Sequence, residues 1–262
     1  LVPAGVEGSV STLPGSFKEF ITDESQERVI RDNIWKCAEH IAALSDRTGK
    51  ALHLGLEPEP LGYFETSSET VQFFERLGME HPNDSKLTEH LGVNYDPCHL
   101  AVEYEEPEAA LGALRTAGIR ISKLHLSAAL IVRPDEGTRA KLRPFEEDVY
   151  LHQVVERFPD GSLNRHRDLD VALATYNPAE EWRIHFHIPL HSPDGDWFAS
   201  TRGHIDGVLR ELKKDPALCT HLEMETYTWE VLPAEMKHRE VVDQLVGEYE
   251  WTLEQLRAHD LA

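Results

Sequence analysis

Apolar positions along the chain gather into short runs separated by stretches with a longer period. The runs cover residues 8–13, 51–57, 91–99, 119–127, 182–190 and 219–226. Runs of this length, rich in leucine and β-branched residues, predict strands buried on both faces, as in a parallel sheet. Between them lie amphipathic stretches. Over residues 23–47, Val29, Ile30, Trp35, Cys37, Ala38, Ile41 and Leu44 recur mostly at three- and four-residue steps, behind a cap at Thr22 or Asp23. Residues 67–77 place Val71, Phe73, Phe74 and Leu77 in the same way. Residues 107–117 open with a proline in the first turn and close on Gly118, the usual asymmetry of helix ends. Residues 203–214 and 236–259 complete the predicted helices.

Strands alternating with helices predict right-handed βαβ units in an α/β fold, and 262 residues is the usual length of one (β/α)8 TIM barrel. The rhythm breaks between Arg133 and Ala179. There, residues 149–157 and 163–174 flank Pro159-Asp160-Gly161, a strong turn signal between extended runs. A β-hairpin inserted within 133–179 is therefore expected in a single domain spanning 1–262. Six strands are too few for a closed eight-stranded barrel. The expectation is the C-terminal six βα units of a barrel, with two further units upstream of Gly8.

Charge narrows the partners. Asp and Glu number 47 against 26 Lys and Arg, a formal net charge of −21. Such a surface repels nucleic acid and anionic membranes, so neither is expected as a partner. No apolar run approaches the length of a membrane span. The three cysteines are odd in number and lie outside any CxxC pair, which points to reduced thiols in a cytoplasmic protein.

The candidate chemistry sits at the ends of the predicted strands. A single carboxylate or histidine there is usually a cap or a surface group, but here five strand ends in succession carry one. Glu57 ends the second run, and Pro58 and Pro60 stiffen its exit. Asp96-Pro97-Cys98-His99 can present a carboxylate and an imidazole to one cavity, a pairing that suits Mn²⁺, Co²⁺, Zn²⁺ or Fe²⁺ better than Ca²⁺. His125 follows on the next strand. His185 and His187 share one side of a strand by its period of two. Glu223 and Glu225 do likewise, and two inward carboxylates need a cation or a shared proton. Spacing leaves open which of the two is a ligand. Nucleophile-elbow, Walker, GxGxxG and HExxH patterns are absent.

The order Glu, Asp-x-x-His, His, His-x-His, Glu along successive strands resembles the xylose-isomerase-like superfamily of sugar isomerases, D-tagatose 3-epimerase-type epimerases and endonuclease IV-type nucleases. More closely, the chain resembles the EboE family of metabolite traffic proteins. That likeness is carried by Gly8-Ser9-Val10-Ser11-Thr12-Leu13-Pro14, Glu57-Pro58-Glu59-Pro60, Asp96-Pro97-Cys98-His99, Lys123-Leu124-His125-Leu126-Ser127 and Glu223-Met224-Glu225-Thr226-Tyr227-Thr228-Trp229.

The resemblance implies a xylose-isomerase-like barrel with two strands ahead of Gly8. It implies a divalent cation (Mn, Co, Zn or Fe) on Glu57, Asp96, His125 and Glu225, with His187 as a further candidate. Glu57 and Glu225 would act as bases, and His99 as the substrate-side histidine. His185 and Lys123 join His99 as candidates for substrate contact. The implied function is a metal-dependent isomerase or epimerase of a sugar- or cyclitol-derived small metabolite, tied to metabolite synthesis or traffic. Two alternatives stand beside it. One is a multi-metal hydrolase of a phosphorylated small molecule, using His99, His185 and His187, although the nuclease pattern has aspartate where His185 stands. The other is a non-catalytic metabolite-binding barrel. An incomplete barrel exposes strand edges, so a homo-oligomer or association with an N-terminal segment is also expected.

Overall fold

Strands buried along nearly their whole length belong in the middle of a sheet, and three segments of this chain qualify. The computed structural model describes residues 2–3, 5–225 and 240–262. Among them the strands are β1 (Gly8–Thr12), β2 (Leu52–Leu56), β3 (Leu91–Tyr95), β4 (Ile121–Leu126), β5 (Leu130–Val132), β6 (Val154–Arg157), β7 (Leu163–His166), β8 (Glu181–Ile184), β9 (Phe198–Ser200) and β10 (Leu222–Met224). β3 and β4 are buried at every position, and β2 at all but its first. These three form the centre of a parallel sheet of order β1-β2-β3-β4-β10. The sheet curls. Ser9 Oγ lies 2.7 Å from His221 Nδ1, and Lys123 Nζ donates to Ser11 Oγ at 3.3 Å, so β1 faces β4 and the start of β10 across a shared interior.

The helices follow the predicted periods closely. They are α1 (Glu24–Thr48), α2 (Ser67–Glu80), α3 (Lys86–Glu89), α4 (Pro97–Val102), α5 (Pro107–Thr116), α6 (Glu136–Leu142), α7 (Leu169–Ala174), α8 (Arg202–Lys214) and α9 (Val241–Ala258). Asp23 caps α1 by accepting from the amides of Ser25 and Gln26. Thr66 caps α2, and Gly118, at φ 70°, turns the chain beyond α5 in a conformation side chains resist. Along β3, Gly92 is required by close approach. A Cβ there would sit 2.4 Å from Arg120 Cγ and from Ser122 Oγ. The first part of the predicted helix 236–259, and the last residues of the run 219–226, lie outside the described residues.

The second sheet departs from expectation. Residues 182–190 read as a barrel strand, yet only Glu181–Ile184 is strand, and it lies in an antiparallel sheet of order β7-β6-β8-β5-β9. Among the described residues the parallel sheet accordingly has five strands rather than six, with β10 directly against β4. Beyond Ile184 the backbone leaves the ladder. His185 N donates to Gln153 O, Ile188 N donates to Ala128 O, and Pro189 has no N–H to offer. The turn at Pro159-Asp160-Gly161 does join a hairpin, β6–β7, but Leu169–Ala174 within its predicted second arm is helical, capped by Asp168.

Helix α9 packs Trp251 and Leu256 half-buried against the core but leaves other apolar side chains in solvent. Its buried positions are Gln244, Gly247, Glu248 and Thr252. Val242 (65% exposed), Val246 and Tyr249 form an apolar stripe on the opposite face, with Leu245 and Leu253 beside them. Cys37, Cys98 and Cys219 are all unpaired. No helix among the described residues is long and apolar enough to cross a membrane.

Candidate metal centre

In open α/β sheets ligands settle beyond the carboxyl ends of the strands, and four strand ends converge there. Glu57 follows β2, Asp96 follows β3, His125 lies near the end of β4, and Glu225 follows β10. One ligand atom from each falls within 4.8 Å of the others. The focus is His125 Nδ1, which lies 3.1 Å from Glu57 Oε1, 3.3 Å from Asp96 Oδ2 and 3.4 Å from Glu225 Oε2.

Local structure explains how Asp96 is aimed. It is the N-cap of α4, with Pro97 in the first turn. Its Oδ1 accepts from the amides of Cys98 (2.6 Å) and His99 (3.3 Å) and from the Ser127 hydroxyl. The backbone thus holds one carboxylate oxygen and leaves Oδ2 to the cavity. His99, one turn on, is fixed by its Nδ1 at 3.1 Å from the Pro58 carbonyl, and its Nε2 faces Asp96 Oδ2 at 4.0 Å.

Electrostatics follow from three carboxylates around one buried imidazole. Burial alone would lower the pKa of His125; its contacts with Asp96, Glu225 and Glu57 override that and push it up to about 12. His99 is likewise pushed up to about 9, against burial, by Asp96, Glu57, Glu59 and Glu225. Burial would raise the Asp96 carboxyl, but His99, His125 and His187 hold it well below the usual carboxylate range. Burial pushes Glu59 up to about 7, opposed by His99 and reinforced by its carboxylate neighbours.

The donor set fits a divalent cation. Three carboxylates and one imidazole suit Mn²⁺, Co²⁺, Zn²⁺ or Fe²⁺. Glu225 Oε2 makes no well-formed hydrogen bond among the described residues and has the His125 and His187 rings at 3.4 and 3.5 Å.

Further potential ligands surround this tetrad. Asp96, His99, His187 and Glu225 form one overlapping group, and Glu59, His99 and His185 another. Cys98 groups with His185 and His187, but burial raises its thiol well above its ordinary pKa, which disfavours the thiolate a metal needs. His185 and His187 meet at 3.2 Å between their Nε2 atoms, although no strand holds them there. His185 Nδ1 lies 2.6 Å from Gln153 Oε1, an assignment that leaves Nε2 with a lone pair. Burial, with His99 and His187 nearby, holds this ring well below the ordinary histidine pKa, so it is neutral.

Glu223 and Glu225, inseparable by spacing, part company in space. Glu225 joins the cluster, whereas Glu223 binds Lys123 Nζ at 2.5 Å. Lys123 lies two residues before His125 on β4, held by Glu223 and Ser11, and is not among the residues lining the cavity. Sequence reasoning passed over Glu59 and Gln153, both of which line that cavity. Glu59 carried a signal in the prolines on either side of it; Gln153 carried none. Thr226 to Trp229 of the final motif lie outside the described residues.

No protein-family model matches the chain, and no curated protein matches it. Among solved structures, the chain is similar to the probable 3-DHS dehydratase AsbF of Bacillus anthracis, involved in petrobactin synthesis, at a TM-score of 0.47 and 13% identity. The match covers 94% of this chain and 62% of that one. A likeness of that strength assigns neither a family nor an activity.

Proposed function

We propose that this protein is a divalent-metal-dependent isomerase or epimerase of a small sugar- or cyclitol-derived metabolite. On this reading the curled sheet is part of a xylose-isomerase-like barrel of the EboE type. One observation carries it: Glu57, Asp96, His125 and Glu225 converge from four neighbouring strand ends on a single point. These four would hold the cation, with His187 beside them. When bound, the cation supplies Lewis acidity that polarises a substrate oxygen.

The other tasks fall to the chain. Glu57 and Glu225 border the cavity and take a proton from substrate carbon and return it. His99, with its Nδ1 tied to the Pro58 carbonyl, presents Nε2 to a substrate hydroxyl or carbonyl. Glu59, pushed up to about 7, exchanges protons near neutrality at its carboxyl. His185 contributes a neutral ring at the cavity wall.

A second reading, hydrolysis of a phosphorylated small molecule at several metals, is favoured by the group Asp96, His99, His187 and Glu225, which shares Asp96 and Glu225 with the tetrad. Metal analysis by mass spectrometry, paired with deuterium exchange from D₂O into a ketose and cyclitol panel, separates the two. About one Mn, Co, Fe or Zn per chain with exchange at carbon is expected. Two or three metals without exchange would replace this reading with the hydrolase. Metal-free protein after loading with each cation would leave a metabolite-binding role.

A further inference from the structure

The cavity above the cluster, about 580 Å³, has walls of two kinds. Buried Glu57, His99 and His185 and half-buried Glu59 line its inner part. Leu13, Val149 and Leu151 line it as well, yet they are 53%, 73% and 41% exposed and therefore form its mouth. Apolar side chains held in water on a chain of net charge −21 are costly unless something covers them.

The loop that carries two of them is held through its backbone: Glu147 accepts from the amides of Val149 (2.6 Å) and Tyr150 (2.5 Å). The loop ends on His152, which is 1% exposed, with its Nδ1 3.2 Å from the carbonyl of His185. The mouth is thereby seated on the same segment that carries the site histidines.

We infer that the substrate has two chemically distinct ends: an oxygen-rich head over the carboxylates and imidazoles, and an apolar appendage of several carbons against Leu13, Val149 and Leu151. A bare sugar would leave these three side chains in water; an appendage removes them from it. This rests on the metal reading above only for the placement of the head.

Chain-length dependence of a chelating probe tests it. Acetohydroxamate and hexanohydroxamate differ by four methylenes, and each buried methylene is worth roughly fourfold in affinity. Calorimetric titration of Mn²⁺-loaded protein should find hexanohydroxamate tighter by roughly 30- to 200-fold, allowing for partial burial of the chain. In a Leu13→Ser, Val149→Ser double variant that ratio should fall below about fivefold, since the chain then contacts hydroxyls. Both positions are exposed, so folding is not at issue. Equal affinity of the two probes for the wild type overturns the inference and leaves the metal reading standing. Hexanohydroxamate affinity that is the same in Mn²⁺-loaded and metal-free protein keeps the apolar mouth and removes the metal reading. Failure of both probes removes both.

Discussion

Asp96→Ala is expected to weaken divalent-cation binding by more than ~100-fold, beyond what loss of a supporting residue alone costs. The size of the effect follows from how Asp96 is held. Its Oδ1 is spent on the amides of Cys98 and His99 and the Ser127 hydroxyl, so Oδ2 arrives at the cluster already oriented. Alanine removes the ligand and the cap together, and the lost cap costs about 0.5–2 kcal/mol of stability on its own. Asp96→Asn keeps a capping oxygen while removing the charge, and should separate the two losses. The readout is thermal unfolding with and without Mn²⁺. At a hundred times its dissociation constant a cation stabilises the native state by about 2.7 kcal/mol. Wild type should show that gain; both variants should show at most about 0.4 kcal/mol at the same concentration. A wild type indifferent to Mn²⁺, Co²⁺ and Zn²⁺ would end the metal assignment, and an Asp96→Ala protein that responds like wild type would remove Asp96 from it.

The second large effect lies away from the site. Glu156→Ala is expected to destabilise the fold by about 3–5 kcal/mol, the usual cost of breaking a buried ionic network. Glu156 lies on β6, an interior strand of the antiparallel sheet, with its side chain fully out of solvent. Its Oε2 accepts from Asn164 at 2.9 Å and Asn177 at 2.7 Å and lies 2.9 Å from His166 Nε2. One carboxylate thus ties β7 and the segment before β8 to β6. Alanine would leave two amides and an imidazole without their acceptor.

The pH dependence has a definite sign. Burial would raise the Glu156 carboxyl, but these hydrogen bonds outweigh it and hold the pKa below the ordinary glutamate value. The stabilisation is therefore fully present above the unfolded-state pKa of about 4.3 and is lost as pH falls through the folded value. Denaturant unfolding from pH 6 to pH 3 should show wild type losing more stability than Glu156→Gln. Parallel curves would mean that the charge contributes nothing.

Both networks bear on what could be read before any coordinates. The helices and β1 to β4 were legible because buried strands and amphipathic helices differ in period, and caps such as Asp23 and Thr66 mark the boundaries. Strand ends of one parallel sheet share a side, which made a common cavity for Glu57, Asp96 and His125 legible, whereas Glu225 was preferred to Glu223 only through the family resemblance. The segment 182–190 was misplaced because a continuous apolar run reports burial and not which sheet provides it. Trp182 and Ile184 are indeed buried, but against β5 and β6. The separate fates of Glu223 and Glu225 depend on Lys123, a residue of a different strand that no local pattern links to either. Glu156 was invisible for the same reason: its partners at 164, 166 and 177 become neighbours only once the hairpin closes.

The exposed apolar stripe of α9 and the net charge act in opposite directions when two molecules meet. The acidic surface pushes copies apart, and the Val242–Val246–Tyr249 stripe draws them together on contact. The repulsion reaches about 30 Å at 0.01 M salt and about 3 Å at 1 M, whereas the attraction between apolar faces does not weaken with salt. Colloidal stability should therefore be greatest in dilute buffer and decline as salt is added, with light scattering rising earlier in sulfate than in chloride. Replacing Val242 and Val246 with glutamate should shift that onset to higher salt.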